Sequence, residues 1–267
     1  MVSKEMGGGR MKPYYEDTKA GITIYNGDCR EILPSLPPVD LVLTDPPYGI
    51  NWIPRVNNRE FMKGDNEDFD PSEYLRVGSK HLFWGANYFA NKLPPSKSWF
   101  VWLKRPDSFD SCKKTYAPCE MAWSNFDGSI RVKHHTWDGN FRSGVENEKF
   151  IHPAQKPIEV MRWCIEESDI DGIILDPFMG SGTTLVAAYS LGRKAIGIEI
   201  EKKYCDIAIQ RLRQMPLPLI ESNSHDIITP TQEELFNGAF TNKRNKREDI
   251  EGKQRPEDDT LPKETAK

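Results

Sequence analysis

The chain has 267 residues, a formal net charge of −4 and 37% hydrophobic residues. These values fit one large α/β domain with appendages, and they exclude a transmembrane protein because no apolar run reaches the ~18 residues of a membrane-spanning helix. They also exclude a broadly basic nucleic-acid binder, although a local stripe of Lys and Arg is enough to contact phosphates. No signal peptide is visible, so we expect a cytoplasmic protein.

The pattern of polar and apolar residues divides the chain into three regions. Residues 1–21 are predicted to be a flexible leader, and residues 216–267, which are polar and interrupted by prolines, a disordered tail. Residues 22–215 carry the regular pattern of a folded domain.

Short apolar runs alternate with turn-rich segments in the first half of this domain. They predict strands at 22–25, 39–43, 81–84, 99–103 and 120–123. Short helices are predicted at 30–33, 71–78 and 86–92, two of them next to prolines. Residues 49–70 lack periodicity and are predicted to be a long loop, a type of segment that is usually functional or mobile.

The second half alternates strands and helices more regularly. A helix at 157–167 is followed by strands at 172–175 and 195–200, which alternate with helices at 183–191 and 202–214. This alternation is typical of a doubly wound, mostly parallel α/β sheet.

A glycine-rich turn begins at Asp176, where the strand at 172–175 ends. Gly180 and Gly182 let the backbone adopt positive φ and approach a ligand closely. The helix that begins near Thr183 directs unpaired N–H groups and its dipole at an anion, such as the carboxylate of an amino-acid moiety. This turn therefore predicts a binding site for a small anionic cofactor.

Glu199 ends the next strand, 19 residues beyond Gly180. An ionised carboxylate only accepts hydrogen bonds, so Glu199 fits ribose hydroxyls and favours a nucleotide-like cofactor. The alternative is a glycine turn that only packs a helix on a strand. A phosphate-binding loop is not supported because its lysine is missing, and the GxGxxG pattern of dinucleotide sites is absent.

A second turn, Asp45-Pro46-Pro47-Tyr48, follows the strand at 39–43 and precedes the cofactor turn by about 130 residues. The Asp45 carboxylate and the Pro46 carbonyl can accept hydrogen bonds from an exocyclic amine and polarise it. The two prolines stiffen the turn, and Tyr48 can stack on a flat base. Such a turn can also simply end a strand. Together with the cofactor turn, however, it predicts transfer of a group to an exocyclic amine.

In this order the two turns resemble the permuted, β-class amino-methyltransferases of DNA, which use S-adenosylmethionine. The resemblance covers residues 22–213 and implies a Rossmann-like, doubly wound α/β fold with a mostly parallel, seven-stranded sheet and helices on both faces. It rests on six segments: Asn26 to Cys29, Thr44 to Gly49, Val101 to Lys104, His152 to Pro157, Asp176 to Thr184 and Gly197 to Glu199.

The resemblance also implies roles for individual residues. Asp28 and the Cys29 backbone would bind the cofactor adenine, Lys156 the methionine end and Glu199 the ribose. The other residues expected at the cofactor are Asp45, Asp176, Phe178, Gly180, Ser181, Gly182 and Thr183.

Asp at the first position of the catalytic turn is the usual form in N6-adenine members of the family, whereas N4-cytosine members more often carry Ser. We therefore expect methylation of the adenine N6 amine in double-stranded DNA, after the base has flipped out of the helix. An N4-cytosine enzyme is the alternative in the same family. An RNA methyltransferase and a non-catalytic DNA-binding regulator are further alternatives.

The segment 105–151 is expected to be a short target-recognition insertion. The predicted DNA contacts are Lys113, Lys114, Arg131, Lys133, His134, Trp137 and Arg142, and the alternative for them is a solvated surface. No Cys or acidic residue lies at ligand spacing from the histidines, so no metal is expected. The resemblance leaves a homodimer open.

Overall fold

The computed structural model describes residues 11–51, 64–104, 117–138, 141–142 and 155–215, without the side chains of residues 138, 141 and 142. The chain divides into two units, Met1–Ile220 and Glu221–Lys267, and all described residues belong to the first. The tail predicted at 216–267 therefore lies outside the described residues. None of the helices among the described residues is long and apolar enough to cross a membrane.

Nine strands of the described part of the chain form one sheet. They are β1 Tyr15–Asp17, β2 Ile22–Asn26, β3 Leu41–Thr44, β4 Lys80–Trp84, β5 Trp99–Leu103, β6 Cys119–Ser124, β7 Arg131–His134, β10 Ile174–Asp176 and β11 Ala195–Glu199. Two shorter strands, β8 Trp137–Asp138 and β9 Phe141–Arg142, form a separate antiparallel pair.

Four α-helices accompany the strands in the described ranges. They are α1 Cys29–Ile32, α2 Ile158–Ser168, α3 Thr183–Ser190 and α4 Lys202–Gln214. The helices predicted at 71–78 and 86–92 are instead 3-10 turns, at Tyr74–Arg76 and at Ala86–Tyr88 and Ala90–Lys92. Segments this short make too few hydrogen bonds to offset the cost of nucleating an α-helix.

The order of strands in the sheet is β1-β2-β11-β10-β3-β4-β6-β5-β7. The pairs β2–β11, β11–β10, β10–β3, β3–β4 and β5–β7 are parallel, which confirms the predicted doubly wound, mostly parallel α/β fold. The sheet has nine strands among the described residues rather than the seven expected, because β1 and β7 extend its two edges.

Two of the predicted boundaries need correction. The leader predicted at 1–21 contains β1, which pairs antiparallel with β2, and the Tyr14 amide donates to the Ile24 carbonyl at 2.8 Å. The insertion predicted at 105–151 contains β6, which lies between β4 and β5 and is therefore part of the sheet itself. A three-residue strand leaves little periodic signal in a sequence. The strand β6 was predicted at 120–123, but its position between β4 and β5 depends on pairing with distant segments.

Side chains of the central strands alternate between two buried layers. Leu41 and Leu43 pack in the cluster that includes residues of α2, α3 and α4, whereas Val42 packs in the cluster on the other face with residues of α1 and of the 3-10 turns. The sheet is thus covered on both faces, as expected of a parallel sheet.

The register of the sheet determines where the two predicted turns lie. β10 pairs with β3 in parallel, with Ile174 opposite Leu41 and Leu175 opposite Val42. The carboxyl ends of both strands therefore meet at the same edge, where ligands bind in open α/β sheets.

Candidate active site

The turns that follow β3 and β10 open into one cleft. The Thr44 hydroxyl, at the end of β3, donates to the Asp176 carboxylate at 2.7 Å. The cleft has a volume of about 600 Å³, within the usual range for a small-molecule site. The predicted site residues that line it are Asp28, Cys29, Asp45, Pro47, Lys156, Asp176, Phe178, Gly180, Ser181, Thr183 and Glu199.

The Asp45 carboxylate is held by a side chain at each oxygen. Tyr48 donates its hydroxyl to Oδ1, and Lys156 donates to Oδ2 at 2.5 Å. Burial raises the pKa of Asp45, and the Lys156 ammonium opposes that rise. The carboxylate is thus an oriented hydrogen-bond acceptor at the wall of the cleft.

Lys156 has a different setting from the one expected. Its ammonium is buried and contacts two carboxylates, that of Asp45 and that of Glu120, the latter at 2.9 Å. Burial opposes protonation, but the two carboxylates raise the pKa of Lys156, so it remains a cation. Although Lys156 lines the cleft, its charge is already balanced by these acids.

Tyr48 is positioned by contacts on two sides. Its ring stacks on Tyr88 with ring centroids 5.0 Å apart, and it passes so close to Gly85 that a Cβ there would lie 1.9 Å from the ring. The backbone amides of Tyr48 and Gly49 both donate to the buried Asp65 carboxylate at 3.0 Å. Asp65 therefore holds the catalytic turn in shape.

Asp176 is 3% exposed and accepts hydrogen bonds on both oxygens. Thr44 and the Phe178 amide donate to Oδ1, and the Thr184 hydroxyl donates to Oδ2 at 2.5 Å. Burial raises the pKa of Asp176 to about 6, although these hydrogen bonds lower it in part. Asp176 thus connects β3, the cofactor turn and α3.

The cofactor turn has the backbone conformation that its glycines predict. Gly180 and Gly182 have φ values of 51° and 80°, in the left-handed region. A Cβ on Gly182 would also lie 2.6 Å from the Cβ of Ala208 in α4. The buried Arg211, also in α4, donates to the Ser181 carbonyl at 2.8 Å and supports the turn from below.

Glu199 lies at the end of β11, directly beside the cofactor turn. The Gly180 amide donates to its Oε2 at 3.1 Å, and the Glu201 amide donates to Oε1 at 2.7 Å. Burial raises the pKa of Glu199 to about 7, with the two amides opposing the rise. Each oxygen has a second lone pair that can accept from a hydroxyl.

The far end of the cleft combines one acid with aromatic rings. Asp28 caps α1 by accepting from the Arg30 amide at 2.9 Å and forms an ion pair with the Arg30 guanidinium. The Cys29 thiol lies 3.2 Å from the Tyr74 hydroxyl, and the Phe178 ring packs at 5.3 Å from the Tyr74 ring. A flat apolar ligand with polar edges fits this end.

Among the described residues, those predicted to contact DNA do not gather at one site, unlike the predicted cofactor residues that line the cleft. Lys113 and Lys114 lie outside the described residues, and the side chain of Arg142 is not described. The Arg131 guanidinium pairs with Glu167 and donates to three further oxygens within the protein. Trp137 is 5% exposed, so the prediction that its ring contacts DNA is wrong for this conformation.

Lys133 and His134, by contrast, lie on the edge strand β7 and are partly or fully exposed. Trp137 was misjudged because it follows two histidines in a polar segment, a setting that favours an exposed loop. Its ring instead belongs to the buried cluster that also contains residues of α2, α3 and α4.

Three supporting residues were missed by the sequence analysis: Glu120, Asp65 and Arg211. Glu120 lies in an apolar strand, where a lone acid is a signal for a buried charge pair. Asp65 lies in a polar loop among other acids, and Arg211 on a helix with other cations, so neither stands out.

A cleft at the carboxyl ends of parallel strands, lined by a glycine turn, by Glu199 and by part of a partly buried Asp-Pro-Pro-Tyr turn, is the site expected of an enzyme that modifies amines with a nucleotide-like cofactor. Comparison with known proteins identifies the family. A family profile described as DNA methylase, covering N6 and N4 enzymes, matches residues 86–210.

The Type II methyltransferase M2.LlaDCHI of Lactococcus lactis subsp. cremoris is 44% identical, with 76% of this chain and 93% of the relative covered. M.BglII of Bacillus subtilis, another Type II methyltransferase, is 31% identical over 72% of this chain and 69% of the relative. The crystal structure of M1.HpyAVI aligns with a TM-score of 0.48 and 24% identity over 73% of this chain and all of that chain.

The chain belongs to the N6/N4 DNA methylase family. The expected class of enzyme, a DNA amino-methyltransferase, is thereby confirmed at the level of the family.

Proposed function

We propose that the protein methylates the N6 amine of adenine in duplex DNA and flips the target base out of the helix to do so. The observation that carries the proposal is the single cleft shared by Asp45 and Glu199. Asp at the first position of the catalytic turn supports adenine over cytosine. The Type II methyltransferases among the relatives support a site-specific enzyme.

The residues of the cleft fit S-adenosylmethionine. Glu199 would accept from the ribose hydroxyls, and Asp28 and the aromatic rings near it would hold the adenine. Gly180 and the start of α3 would face the carboxylate. When bound, the cofactor supplies an electrophilic methyl group whose bond to sulfur breaks as the new bond to nitrogen forms.

The catalytic turn acts on the amine. Asp45 and the Pro46 carbonyl would each accept a hydrogen bond from one N–H of the amine. These two bonds would turn the nitrogen lone pair out of the plane of the base and toward the methyl group. Asp45 need not remove a proton first, because the nitrogen becomes strongly acidic once it carries four substituents. That proton then leaves to water.

Tyr48 would stack on the face of the flipped base, an interaction worth roughly 1–3 kcal/mol per base. This offsets part of the few kcal/mol that flipping costs. Lys133 and His134, on the edge strand β7, remain candidates for contacts with the DNA backbone.

The test is identification of the methylated nucleoside after digestion of DNA incubated with the protein and labelled S-adenosylmethionine. We expect N6-methyladenine, and N4-methylcytosine would reassign the target base. Asp45→Asn should abolish transfer while cofactor binding persists. Asp171→Asn, which removes an acid that is 89% exposed, is the control and should have no effect. Absence of transfer to any duplex by the unmodified protein would overturn the proposal.

A further inference from the structure

Four charged side chains form a continuous network of ion pairs that ends at the Asp45 carboxylate. The Lys104 ammonium pairs with Oε1 of Glu120, and Lys156 lies 2.9 Å from Oε2 of the same carboxylate. Lys156 in turn donates to Oδ2 of Asp45 at 2.5 Å. Two cations and two anions alternate, so the formal charge of the group is zero.

The four residues of this network come from separate parts of the fold. Glu120 lies in β6, Lys104 directly follows β5, Lys156 precedes α2 and Asp45 follows β3. Lys156 is 7% exposed, and an ammonium this buried is stable only when carboxylates balance its charge. Lys156, balanced by these carboxylates, thus presents a fixed positive charge to Asp45.

We propose that Lys156 is a positioning residue that keeps Asp45 ionised and oriented toward the substrate amine, and that Glu120 and Lys104 hold Lys156 in place. This inference rests on the proposed role of Asp45 as an acceptor for that amine.

The physical need for such a residue follows from the burial of Asp45. A carboxylate removed from water tends to take up a proton, and a protonated oxygen would donate to the amine rather than accept from it. Among the residues that the structure describes, the other titratable groups near Asp45 do not supply positive charge. Tyr48 donates a neutral hydroxyl, Tyr88 stacks on Tyr48, and Asp176 ends the neighbouring strand β10 as a further acid.

The pH dependence of kcat tests the proposal, because the acidic limb reports the protonation of Asp45 in the loaded enzyme. Lys156→Met should raise the pKa of that limb by about 1–3 units, the usual effect of an adjacent opposite charge. Glu120→Gln should shift it downward, because it removes a negative charge and leaves Lys156. A merely structural role would lower kcat in both variants without moving the limb in opposite directions.

Three further variants keep the test decisive. Lys156→Arg retains the charge and should leave the limb near its original position. If Lys156→Met does not fold, the double variant Lys156→Met/Glu120→Gln removes both charges, and its limb should lie above that of Glu120→Gln alone. Lys202→Met changes a lysine that is 65% exposed and should shift nothing.

A readout without turnover separates this inference from the proposed function. The carboxyl carbon of Asp45 can be followed by carbon-13 NMR in aspartate-labelled protein and assigned by its absence from the Asp45→Asn spectrum. Its titration should shift upward in Lys156→Met even if no DNA substrate is methylated. An unchanged titration in Lys156→Met would overturn the inference, whereas failure of the unmodified protein to methylate DNA would count only against the proposed function.

Discussion

The hydroxyl of Thr44 donates a hydrogen bond to the carboxylate of Asp176 across 2.7 Å. Thr44 is the last residue of β3 and Asp176 the last of β10, so this bond joins the strand ends from which the two turns of the active site begin. Both residues are buried, and the bond therefore fixes the turns relative to each other without help from solvent.

Removal of this bond should disturb both folding and catalysis. Thr44→Val keeps the shape of the side chain but removes the donor, which should lower the free energy of unfolding by about 1.5–3 kcal/mol, the usual value for a bond to a charged group. We expect kcat to fall by roughly 10–100-fold, because a small displacement of reacting groups is costly. Thr44→Ser keeps the hydroxyl and is the control in both denaturation and turnover assays.

The close approach of Gly182 to α4 predicts a steric effect that can be separated from backbone strain. Gly182→Ala combines positive φ, worth about 1–2 kcal/mol, with a clash against Ala208, worth about 1–3 kcal/mol. Gly192 also has positive φ, 65°, but no atom lies within 4 Å of a Cβ built there. Gly192→Ala should therefore show only the first cost in chemical denaturation. Equal losses of stability in the two variants would contradict the packing that we describe.

The raised pKa of Glu199 predicts a pH-dependent affinity for the cofactor. With a pKa of about 7, the carboxyl is largely protonated at pH 6 and largely ionised at pH 8. If Glu199 holds the ribose as proposed, the hydroxyls donate to its ionised form and binding favours loss of the proton. Affinity should then increase as the pH rises from 6 to 8.

Calorimetric titration with S-adenosylmethionine at pH 6, 7 and 8 measures this effect. The Glu199→Gln side chain cannot ionise, so this variant should bind S-adenosylmethionine more weakly. Its affinity should lack the pH dependence that Glu199 causes. The same variant corrects for titration of the cofactor itself. A pH profile shared by both proteins would show that Glu199 does not contact the ribose as an anion.

The two hydrogen bonds that Asp65 accepts predict that its loss impairs only the turn at Asp45–Tyr48. Asp65→Ala removes the acceptor shared by the Tyr48 and Gly49 amides, so the turn should loosen and kcat should fall by roughly 10–100-fold. Cofactor affinity should change little, because these bonds do not involve the glycine turn. Asp65→Asn retains an acceptor oxygen and should recover most of the activity. A large loss of cofactor affinity in Asp65→Ala would show that this acid acts elsewhere.

The parts of the site that the sequence predicts are those with a local pattern. The strand β3 lies in a continuous apolar run, which predicts a buried strand. Gly180 and Gly182 lie in a turn, where glycine predicts the positive φ that the structure shows. The helix α4 has the bounds predicted for it, because its apolar positions recur with a helical period over 13 residues.

The parts that escaped prediction depend on contacts between distant segments. Lys156 was assigned to the cofactor, and only the folded chain shows Glu120 beside it, from a strand inserted between β4 and β5. Trp137 was expected on DNA because its neighbours are polar, yet the fold buries its ring. Partners separated by tens of residues leave no periodic trace in one sequence.

The most direct test of the central claim is a crystal structure of the protein with a duplex and an unreactive analogue of S-adenosylmethionine. The account predicts an adenine flipped out of the helix and stacked on Tyr48, with its amine within hydrogen-bond distance of Asp45 and the Pro46 carbonyl, and the analogue lying between Glu199 and that amine. A target base that remains stacked in the duplex, or an analogue bound away from the turn at Gly180, would contradict it.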